Sequence, residues 1–490
     1  MTSLRPLSSA AGAAVAAALL LVAAAPAPAQ DADARETAIA EVEALGGTVH
    51  DMSMTLWEYA ETALEEQQSS DHLVRHLEEA GFEVEEGVAG MPTAFVAEWT
   101  RGSGGPKVGI LAEYDALPGV GNAPVPERQP REDGVASGHG CGHNLFGAGS
   151  VTAGIALKRT MEEQGIDGTV RVYGTPAEET LIGKVYMARE GLFDDLDAAL
   201  VWHPSTDTGV SNSTSLAMNN FRVSFSGQAA HGASDPWNGR SALDAVELTT
   251  HGINLMREHV RPTARIHYVV ENGGDVPNVV PEQAGIWGFV RDTARSSVDA
   301  HYEWIENIAR GAARGTRTEA EVTMVTGVHA TLLNRPLQEA VQANLERVGT
   351  PDYPQSFHRF AEEMQAGLEI EQEGLDTEIE PLEDEPGAGG GGSTDVAEVS
   401  RITPTVSFSV TSAPAGVPWH SWATSAAHGR DGAVLAAETA AKVMAATGAD
   451  LLTSPELREE ARSFFEEAMG DEEYESPLPP GQEPPVGGGE

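Results

Sequence analysis

One stretch concentrates metal-competent side chains: Ser137-Gly138-His139-Gly140-Cys141-Gly142-His143-Asn144. His139, Cys141 and His143 alternate with glycines, and in an extended segment residues two apart point the same way. Imidazole and thiolate on one face suit a divalent metal. The same stretch also reads as a glycine-rich turn around a buried cysteine. The small apolar run from Leu145 to Lys158 predicts a buried helix, whose N-terminus would favour the Cys141 thiolate. Later in the chain Glu178-Glu179, His203 and His420 add donors, and Asp115 precedes them. Two metals need about this many ligands, and a pair ~3.5–4 Å apart needs a bridging one. In Glu178-Glu179 one carboxylate can hold metal while its neighbour stays free as a general base. Taken alone, that pair is also an ordinary solvated acidic step.

The elements that must position these residues alternate between strand and helix. Residues 31–80 have helical spacing, with Trp57, Ala60, Leu64, Leu73 and Leu77 in phase. Lys107–Glu113 reads as a buried strand ending at Tyr114-Asp115, and Gly168–Tyr173 as another running into Glu178-Glu179. Ala198–Trp202 leads to His203, and Thr405–Val410 to a loop holding His420, followed by a helix from about Ser421 to Ala446. This pattern predicts an α/β sandwich with a mainly parallel sheet and its site after the strands. Residues 211–332 instead give β-α-β-β-α-β, the ferredoxin-like order, which predicts an inserted second domain. The expected division is 1–30 signal peptide, 31–210 and 333–470 catalytic domain, 211–332 lid, and 471–490 disordered tail. Gly387 to Gly392 reads as a flexible hinge or close-approach loop.

The formal net charge of −45 argues against nucleic acid and anionic membranes as partners. Arg5, the apolar run Ala11–Ala25 and Ala27-Pro28-Ala29 form a secretory signal, with the mature chain expected near Gln30 or Asp31 and a secreted or periplasmic location. Cys141 is the only cysteine, so no internal disulfide is possible and metal ligation gives an exported thiol a role.

Asp115, the Gly-His-Gly-Cys-Gly-His-Asn run, Pro176-Ala177-Glu178-Glu179, His203-Pro204 and His420 occur in the order seen in the aminoacylase/carboxypeptidase-type di-metal hydrolases. The chain resembles that family over roughly residues 40 to 446. It is most similar to the branch of hippurate and auxin-conjugate hydrolases and, through Ser393-Thr394-Asp395-Val396, to the aminobenzoyl-glutamate hydrolases within it. The resemblance implies two divalent ions, zinc or manganese, with Cys141 as the bridging ligand where other members have aspartate. His143, Glu179, His203 and His420 are the other implied ligands, and Glu178 the general base. Asp115 is implied to orient a ligand histidine. Glu113 stands where the broader family has a metal-binding histidine and this branch an aspartate, which leaves its role open, as is that of His139. In the lid, His231 is implied to reach a partner subunit's site and stabilise the oxyanion. Asn278 and Arg291 are implied to meet the substrate's carboxylate end, although Arg291 has Asp292 beside it as an alternative partner.

The implied activity is hydrolysis of N-acyl or N-aroyl amino acids by a metal-activated water. The implied assembly is a homodimer, or a heterodimer with a related subunit. A dipeptidase or carboxypeptidase with the same metals is the alternative. A binding module that has kept the fold without metal is a further one, opposed by the complete ligand set.

Overall fold

The computed structural model describes residues 29–387, 389 and 392–487. The stretch expected as a secretory signal, up to Pro28, and most of the glycine run after Gly387 lie outside them.

In chain order, helices α1 (Ala29–Ala44), α2 (Gly46–Tyr59) and α3 (Gln67–Glu79) precede strands β1 (Glu83–Glu86), β2 (Phe95–Arg101) and β3 (Lys107–Ala112). Then come α4 (His143–Gln164), β4 (Gly168–Gly174), α5 (Gly183–Arg189), β5 (Ala198–Ser205) and the short β6 (Gly209–Val210). The insertion holds β7 (Ala217–Ser226), α6 (Ala242–Met256), β8 (Arg265–Asn272), β9 (Gln283–Asp292), α7 (Arg295–Thr316) and β10 (Glu319–Val328). The chain returns through α8 (Arg335–Val348), α9 (Gln355–Gly367), α10 (Val396–Ser400) and β11 (Thr405–Thr411). It ends with α11 (Trp422–His428), α12 (Asp431–Thr453) and α13 (Pro455–Met469).

The first sheet runs β1-β2-β4-β3-β5-β11-β6. Its centre, β4-β3-β5-β11, is parallel, and the outer pairs are antiparallel. Parallel strands covered on both faces are apolar on both sides, as β3 is from Val108 to Ala112. Helix α4 is buried along nearly its whole length, so its small residues serve close packing. A Cβ at Gly147 would stand 2.8 Å from the Glu113 carbonyl oxygen. The second sheet, β10-β7-β9-β8, is wholly antiparallel and closes its own core with α6 and α7. The fold is α/β, with a mainly parallel sheet and a ferredoxin-like insertion.

Three local readings differ from the structure. The helical stretch over 31–80 is three helices, broken where Ala60 (φ 44°) and Leu64 (φ 62°) turn left-handed. The helix expected from Ser421 to Ala446 is likewise interrupted between His428 and Asp431. The tail expected to be disordered is docked: Tyr474 donates to the buried Glu398 (2.7 Å), Leu478 is buried, and Gln482 donates to the Val325 carbonyl (2.8 Å). Its polar composition concealed these few anchoring side chains.

Candidate metal centre

The donors gather at the carboxyl ends of the parallel strands, where open α/β sheets place their sites. Glu113 and Asp115 follow β3, and Glu178 and Glu179 follow β4. His203 lies near the end of β5, and His420 in the loop after β11. Cys141 and His143 come from the turn that opens α4. Gly142 makes this turn possible. Its φ is 80°, and a Cβ there would meet Pro204 at 2.7 Å and the His428 ring at 2.9 Å.

Donor atoms of Cys141, His143 and His203 lie within 4.8 Å of one another, as do those of Cys141, Glu179 and His420. The two groups share the thiol. His143 Nδ1 is 2.8 Å from Asp115 Oδ1, which turns Nε2 toward the donor cluster, 3.2 Å from Glu113 Oε2. The other Asp115 oxygen accepts the Glu179 N–H at 2.9 Å, so one carboxylate orients two of the candidate ligands. His203 Nδ1 lies 2.6 Å from the Pro204 carbonyl, and its Nε2 is 3.4 Å from Cys141 Sγ. Trp419 Nε1 also donates to that sulfur at 3.4 Å. His420 Nε2 is 3.6 Å from Glu179 Oε2, and His420 holds a left-handed φ of 53°. Such a conformation in a non-glycine residue is strain of the kind found at functional sites.

Three buried atoms here make no hydrogen bond: Glu179 Oε1, and His143 Nε2 and Glu113 Oε2, which face each other at 3.2 Å. Orphaned acceptors beside a thiol and imidazoles are what a divalent cation would satisfy, so the residues fit a metal. Burial, then Glu179, pushes the Cys141 thiol up to about 12. This outweighs the helix terminus that was expected to favour the thiolate, and leaves deprotonation to a bound cation. Burial would lower His143, but Cys141 and Asp115 raise it well above the ordinary imidazole value. Burial likewise lifts Glu179 to about 7, and with Glu113 and Asp395 it lifts Glu178 well above the usual carboxylate range.

His139 does not share the face of Cys141 and His143. Its Nε2 is 2.9 Å from the Leu56 carbonyl, and its Nδ1 accepts the Asn144 N–H at 3.2 Å. Both nitrogens are used in bracing the turn. Lys184 is a residue the sequence reading missed. It is fully buried, 2.8 Å from Glu113 Oε1 and 2.6 Å from Asp395 Oδ1. A lone lysine in a helix gives no sequence signal of such a role.

A pocket of about 730 Å³ opens onto Cys141, Glu178, Glu179, His203 and His420. Trp287, Phe289 and Arg291 of β9 also line it, two apart and therefore on one face. Arg291 does not pair with Asp292, which bonds His301 instead (3.1 Å). Its guanidinium donates to Ser393 Oγ at 3.2 Å and lies over the Phe289 ring. His231 and Asn278 are exposed and do not line this pocket; they sit on adjacent loop segments of the insertion, where Gly232 donates to the Asn278 carbonyl at 2.7 Å.

A family model described as peptidase family M20/M25/M40 matches residues 109–481. The p-aminobenzoyl-glutamate hydrolase of Escherichia coli strain K12 has a subunit that is 36% identical over 461 residues, 88% of this chain and 94% of that one. The Xaa-Arg dipeptidase of Mus musculus is 30% identical over 310 residues, 61% of this chain and 68% of that one. A solved structure from Bacillus subtilis, of a dinuclear metal binding peptidase from the M20 family, superimposes with a TM-score of 0.53 at 20% identity. It covers 82% of this chain and 98% of that one.

Proposed function

The chain belongs to peptidase family M20/M25/M40, and from that premise we propose that it hydrolyses the amide bond of N-acyl or N-aroyl amino acids of the aminobenzoyl-glutamate kind. It is a metal-dependent amidohydrolase. The observation carrying the substrate class is Arg291. It lies in the same pocket as the candidate ligands, with no carboxylate within ion-pair distance among the described residues. A part-buried guanidinium without an anion is matched to a substrate carboxylate, which it can bind bidentately. The neighbouring Trp287 and Phe289 rings, 5.6 Å apart edge to face, offer a surface for an aryl group.

Cys141, His143, Glu179, His203 and His420 would hold two divalent ions, zinc or manganese, with Cys141 common to both donor groups. When bound, they supply Lewis acidity to water and to the amide carbonyl. Glu178 takes the proton of the attacking water and returns it to the leaving nitrogen. Its raised carboxyl range suits both halves of that task. Asp115 keeps His143 and Glu179 aimed inward, and Arg291 holds the substrate's carboxylate end.

The relative named as an Xaa-Arg dipeptidase supports a second reading, hydrolysis of dipeptides. A dipeptide also needs a carboxylate for its α-ammonium. The pocket's acidic residues, Glu113, Glu178 and Glu179, all belong to the metal centre. Turnover should therefore favour N-aroyl amino acids over dipeptides. Arg291→Met should lower kcat/KM on the order of 10²-fold, mostly through KM, and amidating the substrate's carboxylate should cost a similar factor. A preference for free α-amino substrates would select the dipeptidase reading. We also propose export. The chain recovered outside the cytoplasm should begin near Gln30 or Asp31, and retention of Met1 there would count against a cleaved signal.

A further inference from the structure

Away from the catalytic pocket, α3 carries His72 and His76 one turn apart, and α2 carries Asp51 opposite them. We propose that these three residues form a separate site for a divalent transition ion such as Zn²⁺, which staples α2 to α3. Two histidines at i and i+4 project from one helix face, the spacing that puts two imidazoles on one ion. Their rings are 4.9 Å apart, and their Nε2 atoms lie 3.8 Å (His72) and 3.7 Å (His76) from Asp51 Oδ2. These distances are long for hydrogen bonds. Donors sharing a tetrahedral ion with bonds of about 2.0–2.2 Å stand about 3.3–3.5 Å apart, so Asp51 needs to close on each histidine by only a few tenths of an ångström, and all three donor atoms already lie within 4.8 Å of one another.

A second observation points to a ligand. The His72 side chain is only 7% exposed, and its Nε2, directed at this cluster, has no hydrogen-bond partner. Burial and mutual repulsion keep His72 below the ordinary imidazole value, and burial does the same for His76. Asp51 is largely exposed and supplies the anion, with Glu79 acting in the same sense on His76. Arg75 opposes an ion: its guanidinium donates to His72 Nδ1 at 3.2 Å and so places the ring proton on Nε2, and the ion binds once Arg75 lets go and that proton moves to Nδ1. Arg75 is exposed, so it can turn to water when the site fills. The α2 carbonyls of Leu56 and Ser53 face His139 and the Asn144 amide, so fixing α2 also fixes the support of the catalytic turn.

The test is zinc titration of the full-length protein by calorimetry and elemental analysis, with the catalytic centre already loaded. The wild type should take one zinc equivalent beyond that centre. His76→Ala and Asp51→Asn, both at partly exposed positions, should lose that equivalent alone, and Arg75→Ala should bind it about 10-fold more tightly. Cys141→Ala should keep it while losing catalytic metal, which separates this site from the function proposed above. Absence of the extra equivalent in the wild type, or its persistence in both the His76 and Asp51 variants, overturns the site.

Discussion

Glu178 and Glu179 are adjacent in the chain but differ in what surrounds them. Glu179 is held by its N–H to Asp115 and has a buried oxygen without a partner, beside Cys141 and His420. Glu178 is outside the two groups that share the thiol, and its neighbouring donors are instead Glu113 and His143. With the five ligands of the thiol-sharing groups untouched, Glu178→Gln should keep fold and metal and lose turnover by ~10²-fold or more. Glu179→Gln should instead lose metal, as read by elemental analysis, and a reversed pair of phenotypes would refute the assignment. Lys184 gives another residue-level expectation. Lys184→Met would leave Glu113 and Asp395 buried without their cation, a loss of about 3–5 kcal/mol measurable by denaturant unfolding. At this scale much of the site could be read from the chain, because histidine, cysteine and paired glutamates after strands carry their own chemistry. The orientation of His139 could not: only the packed α2 carbonyl at Leu56 shows why that histidine faces inward.

The turn that carries the candidate ligands Cys141 and His143 depends on how α4 begins. Gly142 precedes His143 with a φ that costs other residues about 1–2 kcal/mol, and Pro204 and His428 crowd the space a side chain would need. Gly142→Ala should therefore lower stability by roughly 2 kcal/mol or more and weaken metal retention. Gly47, within α2, is the opposite case: a Cβ there would have nothing within 4 Å, so Gly47→Ala should raise stability by about 0.5–1 kcal/mol. Thermal melts of the two variants moving in the same direction would contradict this contrast. The alternation of strands with helices and the inserted β-α-β-β-α-β unit were legible because apolar periodicity reports burial, whereas the order of strands in the sheet was not. The breaks at Ala60 and Leu64 were not legible either, since neither alanine nor leucine signals a left-handed turn. The 474–484 segment misled for a related reason: a handful of contacts from Tyr474, Leu478 and Gln482 outweigh a composition of Pro, Gly and Glu.

For the molecule as a whole, the placement of His231 is what argues for assembly. It lies outside the pocket of its own chain, on an exposed loop. Its Nδ1 accepts the Ala233 and Ser234 N–H groups at 3.1 and 3.2 Å, so the neutral ring carries its proton on Nε2. That is a ready donor for an oxyanion, a contribution that can reach ~3 kcal/mol. The same domain ends its sheet at β8, an unpaired edge with Val269 and Val270 exposed, and α6 exposes Leu248 and Leu255. An apolar strand edge of this kind invites pairing with a second chain. We therefore expect an assembly through the lid, with His231 serving a neighbouring subunit's metal centre. Because each chain carries a formal charge of −45, association should tighten as added salt screens the repulsion. His231→Ala should cut turnover by about 10²-fold with metal content unchanged. Mixing it with the Glu178→Gln variant should restore part of the activity, since one hybrid site then has both an intact base and an intact lid histidine. Native mass spectrometry of the same mixture reports whether hybrids form. Hybrids present without recovered activity would mean that His231 does not act across the interface.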